Sequence, residues 1–416
     1  MSEVHTHAAH TAADFAAPPE LGRLQLLAII AAVVGLALTA VGALLDHEQF
    51  FHSYLVGYVF WVGVSAGCLA LLMVQHLAGG AWGVVIRRVL ESASSPLMMV
   101  LLLLLFIPVV LGAHDLYEWT HAEAVRTNEI LKWKAPYLNL PFFIGRTILY
   151  FAIWGALAYF LNVWSNRQDE DVAHGYIYER RMRTLSGPGI VLFALTVTFA
   201  SVDWVMALDP EWYSTIFGIL FMGGWGLSAL AFVIAVSVFL SGRRPMHDVL
   251  APAHFHDLGK LLLAFVMLWA YFSFSQLLII WSGNLPEEIP WYLRRYSGGW
   301  QVLSIALIVL HFMLPFLLLL SRDLKRNARL LGAVALFVIV MRVVDVFWLI
   351  APEAHHREAS YVGHLDPLAV LFGAAAVIGI GGVWFWLFVW GLRKRPLMPL
   401  GDPLLEKALH HGQHHH

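Results

Sequence analysis

Ten apolar runs, separated by short polar stretches, leave this chain little choice of fold. They lie at about 23–45, 54–77, 97–113, 141–164, 187–208, 210–240, 259–282, 300–320, 330–350 and 368–392. A helix crosses the hydrocarbon core of a bilayer in about 20 apolar residues, and the runs have that length, the third being the shortest. Composition agrees. The 416 residues are 59% hydrophobic and 13% charged, with a mean hydropathy of +0.70, whereas a soluble domain carries about 25% charged residues. The expected fold is an all-α polytopic membrane protein of ten transmembrane helices. Its domain plan is a disordered tail over 1–20, a ten-helix transmembrane domain over 21–395 and a His-rich tail over 396–416. No short signal-like segment with a cleavage site precedes the first run, which therefore reads as an uncleaved helix.

Basic residues set the expected orientation. Arg126, Lys132, Lys134, Arg294, Arg295 and Arg357 fall on the side of the odd-numbered loops, and Arg146 and Arg342 lie within helices. The remaining 18 of the 26 Lys and Arg residues fall in the tails, the even-numbered loops and the adjoining helix ends. The positive-inside rule then puts both termini in the cytoplasm. The outer loops at about 114–140 and 283–299 are rich in charge and aromatic rings. They read equally well as a docking face and as ordinary solvated loops, and the first of them as a surface helix.

An internal repeat is visible. At an offset of 161, Gly57, Phe60, Gly63, Leu69 and Ala70 of the second helix fall on Gly218, Phe221, Gly224, Leu230 and Ala231 of the sixth. At an offset of 142, Val202-Asp203 and Pro210-Glu211 fall on Val344-Asp345 and Pro352-Glu353. A parallel duplication of a four-helix unit follows, with two bundles (helices 2–5 and 6–9) and helices 1 and 10 outside them.

Few polar residues are embedded in the runs. They are Arg146, Asp203, Gln276, His311, Arg342 and Asp345, with Lys260 near a helix end, where its long stem lets the ammonium snorkel to the interface. A charged side chain at the bilayer centre costs roughly 2.5–3.5 kcal/mol on insertion scales, so such groups are paired or functional. Arg342 and Asp345 share a helical face, being three apart, and are expected to converge with Asp203 or Arg146. Two readings stay open: a proton half-channel opening outward, or neutralised pairs that lock helices together. Asp209 is expected to cap the sixth helix, with Pro210 in its first turn. Trp204, Trp212 and Tyr213 are expected at headgroup level.

Other chemistry is poorly supported. The single cysteine, Cys68, excludes an intrachain disulfide, a cysteine-ligated iron–sulfur cluster and a C-x-x-C-H haem site. A membrane-embedded b-type haem needs facing histidines, yet only His311 is clearly intramembrane, with His76 at a helix end. His247, His254 and His256 with Asp248 and Asp257, and the terminal His410, His411, His414, His415 and His416, are compatible with metal binding but fit solvated segments better. No phosphate loop, dinucleotide fingerprint or nucleophile constellation is present, so no catalytic centre is expected in this chain.

Asp203-Trp204, five residues, then Pro210-Glu211-Trp212-Tyr213-Ser214-Thr215-Ile216-Phe217-Gly218 resembles the second ten-helix subunit of alternative complex III, the bacterial quinol:cytochrome c oxidoreductase. The likeness continues from His256-Asp257-Leu258-Gly259-Lys260 through Trp269 to Gln276 and on to Asn284-Leu285-Pro286-Glu287-Glu288. More distantly the chain is similar to the polysulfide reductase membrane anchors, which have two four-helix bundles. The resemblance implies a cofactor-free respiratory membrane subunit in the bacterial inner membrane, structural and proposed for proton conduction. It implies as partners a paralogous ten-helix quinol-binding subunit, an iron–sulfur subunit, and multihaem and monohaem cytochrome c subunits, besides membrane lipid. Haem c, iron–sulfur clusters and a quinol such as menaquinol are then expected in those partners. The repeat and buried charges also suit a stand-alone quinone-reactive anchor of a periplasmic oxidoreductase, or a secondary transporter.

Overall fold

The computed structural model describes residues 11–354 and 364–411. Among them there is no strand, and ten helices are long and apolar enough to cross a membrane. These are α1 (Leu21–Leu45), α2 (His47–Ala78), α3 (Arg87–Leu111), α4 (Leu140–Glu170), α5 (Val172–Leu208), α6 (Phe217–Ser241), α7 (Pro252–Gly283), α8 (Trp300–Leu320), α9 (Ala328–Glu353) and α10 (Pro367–Leu392). The chain is an integral membrane protein. Its outward surface is apolar, as lipid contact requires: Leu26, Leu27, Ile30, Val33 and Val34 of α1 are all exposed.

Two helices form the centre. About 89% of the apolar window of α2 and 83% of that of α6 are buried, against 22% for α7 and for α8. Lipid tails are as apolar as side chains, so helix association here rests on close packing rather than on the hydrophobic effect. Small residues allow it. A Cβ on Gly67 would lie 2.2 Å from the backbone oxygen of Trp225, so α2 and α6 cross nearly backbone to backbone. Helices α1 and α10 use the same device, since a Cβ on Gly35 would meet the amide nitrogen of Gly379 at 2.4 Å.

Around this centre the expected two bundles are present. Helices α3, α4 and α5 complete one with α2, and α7, α8 and α9 complete the other with α6. The duplication shows in the contacts: α5 packs on α6, and α9 packs on α2. Helices α1 and α10 pair with each other against the flank of α2.

Several boundaries differ from expectation. Helix α6 begins at Phe217, not at 210, so Asp209 and Pro210 belong to the preceding turn. Asp209 accepts the Trp212 amide at 3.2 Å and forms an ion pair with Arg294, which leaves it no role as a cap of α6. Trp204 and Trp212 are packed inside the protein rather than facing outward, and of the three only Tyr213 is exposed. Helix α3 is broken at Ser94–Ser95 and at Leu105–Phe106, before Pro96 and Pro108, whose rings cannot continue the hydrogen-bond ladder. Helix α2 starts at His47, seven residues before the apolar run, capped by Asp46 accepting the Gln49 amide.

The segments expected as tails are partly docked. Phe15 is buried, and its carbonyl accepts the Leu397 amide at 2.8 Å. Leu397, Met398, Leu405 and Ala408 are buried too, so residues 397–409 form a strap across one end of the bundle rather than a solvated tail. His5, His7, His10, Arg357, His414, His415 and His416 lie outside the described residues.

Candidate functional site

The six embedded polar residues separate into two centres, one per bundle, and no hydrogen bond or ion pair among the described residues joins them. In the first bundle, Asp203 sits at the end of the regular α-helical part of α5, which stops at Trp204, with no exposed surface. Arg146 of α4 meets it as a fork: Nε donates to Oδ2 at 2.9 Å and Nη2 to Oδ1 at 2.9 Å. The Tyr150 hydroxyl donates to Oδ2 at 2.7 Å. Arg146 Nη1 donates to the Tyr137 carbonyl at 2.9 Å, and the guanidinium lies 3.8 Å from the centre of the Tyr137 ring. Such a bidentate pair is geometrically specific and leaves neither charge open. The space around it is filled by Tyr58, Phe106, Phe143, Trp154 and Trp204. This centre has the geometry of a structural lock. Tyr117 packs against it, its hydroxyl donating to the Trp204 carbonyl at 3.0 Å. Burial, and then the Asp203 carboxylate, hold that hydroxyl well above the usual tyrosine range.

The second centre is built differently. Arg342 and Asp345 form an ion pair along one face of α9, as their spacing predicts, but they do not converge with Asp203 or Arg146. Trp269 of α7 donates to Asp345 Oδ2 at 3.1 Å, and Arg342 Nε donates to Ser228 Oγ of α6 at 3.2 Å. The guanidinium occupies the room left by Gly224, where a Cβ would fall 2.4 Å from Nη2. Asp345 Oδ1 has no hydrogen-bond partner among the described residues.

His311 lies behind Trp269, the ring centroids being 4.2 Å apart. It is fully buried, and neither ring nitrogen has a partner among the described residues. It sits in a π-helical stretch, Leu307–Met313, that ends two residues before Pro315. The wider turn absorbs the proline, which offers no amide and would clash with the carbonyl four residues back. Such π segments recur at functional sites.

Gln276 joins this second centre. Its Oε1 accepts the Ser214 hydroxyl at 3.1 Å, and its Nε2 lies 3.4 Å from the Tyr292 hydroxyl. Gln276, Tyr292 and Asp345 all line a cavity of about 610 Å³ enclosed mainly by α7, α8 and α9. Lys260, by contrast, is exposed and paired with Asp257 at 3.1 Å, in keeping with snorkelling.

Sequence reasoning missed several members. Tyr150 lies four residues after Arg146 and Trp269 seven before Gln276, so each shares a helical face with a residue already singled out. A second missed group lies at the end carrying the C-terminal strap. Arg87 and Arg88 are buried there with Glu91, whose spacing from Arg87 is the helical four. Arg87 pairs with Glu91 and with Asp402 of the strap, both at 2.8 Å, and Arg88 pairs with Glu91 at 2.6 Å and with Asp169. Arg395 reaches Glu91 at 3.4 Å, completing three arginines and three carboxylates.

In the odd-numbered loops, Trp119, Trp291 and Tyr292 are buried and Trp133 is exposed. The 114–140 loop carries four short helical pieces, Ala113–Leu116, Glu118–Thr120, Ala122–Thr127 and Glu129–Lys134, in place of one surface helix. Among the described residues, no group of three or more His, Cys, Asp or Glu is arranged to hold a metal ion. His254 instead contacts the Ala408 carbonyl at 3.1 Å and His411 contacts Asp257 at 3.0 Å, both tying the strap to α7. No protein-family model matches the chain, and no characterised protein matches it significantly.

Proposed function

We propose that this chain is a membrane subunit of a respiratory quinol:electron-acceptor oxidoreductase of the alternative complex III type. In this reading it lies in a bacterial inner membrane with both termini in the cytoplasm, as the 18 basic residues at that end favour. It carries no haem or cluster of its own, and quinol oxidation and electron transfer belong to the partner subunits.

The observation that carries the reading is the meeting of the two sequence segments on which the resemblance rests. The Ser214 hydroxyl donates to Gln276, and Trp212 Nε1 donates to the Glu288 carbonyl at 3.1 Å. Trp212 also stacks on Trp291, with centroids 4.6 Å apart and planes at 11°. Residues that resemble one family at two places in the sequence thus form one hydrogen-bonded cap at one end of the bundles. The test is extraction in mild detergent, followed by identification of co-purifying chains and a visible spectrum. Multihaem and iron–sulfur partners with c-type haem bands are expected. A haem-free chain purifying alone overturns the proposal.

Within that role the second bundle is the better seat for a proton half-channel, because Asp345 lines a cavity whereas Asp203 is locked. Gln276, Asp345, Arg342 and His311 are its candidate members, and Arg146 and Asp203 serve the fold. Asp345→Asn, which keeps the shape and one acceptor but removes the counter-charge of Arg342, is expected to lower proton release at least tenfold per assembled complex. Unchanged quinol oxidation and proton output in that variant reject the path.

A further inference from the structure

The geometry points to a binding site for a neutral membrane amphiphile in the second bundle, with its hydroxylated head between Asp345 and Tyr292 and its tail leaving between α7 and α8. The site stands on the cavity itself and does not require membership in any complex. Its volume of about 610 Å³ is that of a ligand pocket rather than a packing defect.

The way in is lateral. Helix α7 packs on α8 from Leu307 onward but diverges from its first turns, Trp300–Ala306. Phe274 and Ile308 line the cavity and are 61% and 57% exposed, so its wall continues into the lipid-facing surface. A ligand therefore enters from the hydrocarbon, which selects a molecule already dissolved in the membrane. The walls are mostly apolar, as an acyl or isoprenoid tail needs.

The polar groups of the wall specify the head. Asp345 Oδ1 has no partner among the described residues and is an acceptor, so the head must bring a hydroxyl. The Tyr292 hydroxyl receives a contact from Gln276 but donates to no described residue, so its proton is available to a ligand oxygen. Both groups line the cavity, and a head that meets both leaves neither without a hydrogen bond once water is displaced. Charge narrows the class further. No Lys or Arg lines the cavity and its one charged wall residue is Asp345, so a phosphate head would face a carboxylate with no cation beside it. A cationic head gains little either, because Arg342 already neutralises that carboxylate. Quinols and neutral glycerides share the remaining chemistry: an uncharged head with a hydroxyl and a further oxygen, on a long apolar tail.

The test uses the full chain in nanodiscs, with whatever co-purifies, and two probes: decylubiquinol, kept reduced, and dioleoylglycerol. Saturable binding of at least one is expected. Binding of decylubiquinol alone identifies a redox lipid, and binding of dioleoylglycerol alone a neutral structural lipid. Tyr292→Phe, which removes only the hydroxyl, and Gln276→Leu are each expected to raise the apparent Kd at least tenfold. Ala270→Trp, which fills the cavity, is expected to abolish binding. Saturable binding of neither probe overturns the inference, as does binding that all three variants leave unchanged while their melting temperatures match the parent's.

Discussion

Arg146 and Asp203 face each other across α4 and α5 through two parallel hydrogen bonds of 2.9 Å, and both side chains are buried. Removing one partner strands the other charge inside the bundle, which costs about 3–5 kcal/mol, whereas replacing both with apolar residues is often neutral. Arg146→Met alone and Asp203→Leu alone are therefore expected to lower the yield of folded protein sharply. The double variant should recover most of it. Thermal denaturation in detergent of all three decides the matter, and a double variant as unstable as the worse single one refutes the lock.

The central crossing gives a second expectation. Gly67→Leu would force a side chain into the backbone of Trp225, which cannot move aside as a flexible side chain could. A loss of about 3 kcal/mol or more is expected, the cost of severe overpacking. Gly187 of α5 is the control, since a Cβ there would meet nothing within 4 Å. Gly187→Ala should be neutral or stabilise by up to about 1 kcal/mol through helix propensity. Melting temperatures of the pair report the contrast directly.

These contrasts show which parts of the molecule its sequence discloses. The bilayer converts hydropathy into helix count, so the ten spans and the two bundles were legible. Helix ends were not, because a helix continues past its apolar run wherever polar residues still satisfy its amides, as His47–Ala78 does. Asp203 and Asp345 were recognisable as a repeated pair. Their opposite surroundings were not, since those depend on which helices flank each bundle laterally: Arg146 and Tyr150 close one side, and the divergence of α7 from α8 opens the other. The strap escaped notice because Leu397, Met398, Leu405 and Ala408 are too few to register as a run, although each is buried.

That strap should contribute measurably to stability. Asp402 pairs with Arg87 at 2.8 Å, and both side chains are almost wholly buried. Asp402→Ala leaves three arginines facing two carboxylates in a closed site, and about 3 kcal/mol of destabilisation is expected. Limited proteolysis should then release the C-terminal segment earlier than in the parent. Equal protease resistance and an unchanged melting temperature would show that the strap rests on its apolar contacts alone.

The last expectation concerns Arg295, which caps the C-terminal end of α9. It donates to the carbonyls of Trp291 at 2.8 Å, Trp348 at 3.1 Å and Leu349 at 2.9 Å, and to Glu353 at 2.9 Å. Burial pushes its guanidinium down to about 10, against the pull of Glu353 in the other direction. A lysine there has three donors without the planar fork, so at least one buried carbonyl goes unpaired and Arg295→Lys should cost about 2–3 kcal/mol at pH 7. Its amine also starts lower, near 10.4 in an unfolded chain, and the same burial would carry it toward neutrality. The folded variant then binds fewer protons than the unfolded one above that lowered value, so its stability rises with pH, and it does so from a lower pH than in the parent, whose Arg295 at about 10 stays mostly charged up to about pH 9. The deficit of the variant against the parent should therefore shrink as pH is raised from about 7 to about 9.5. A deficit that holds constant or widens over that interval would mean that lysine keeps its charge there, and that the planar fork accounts for the whole loss.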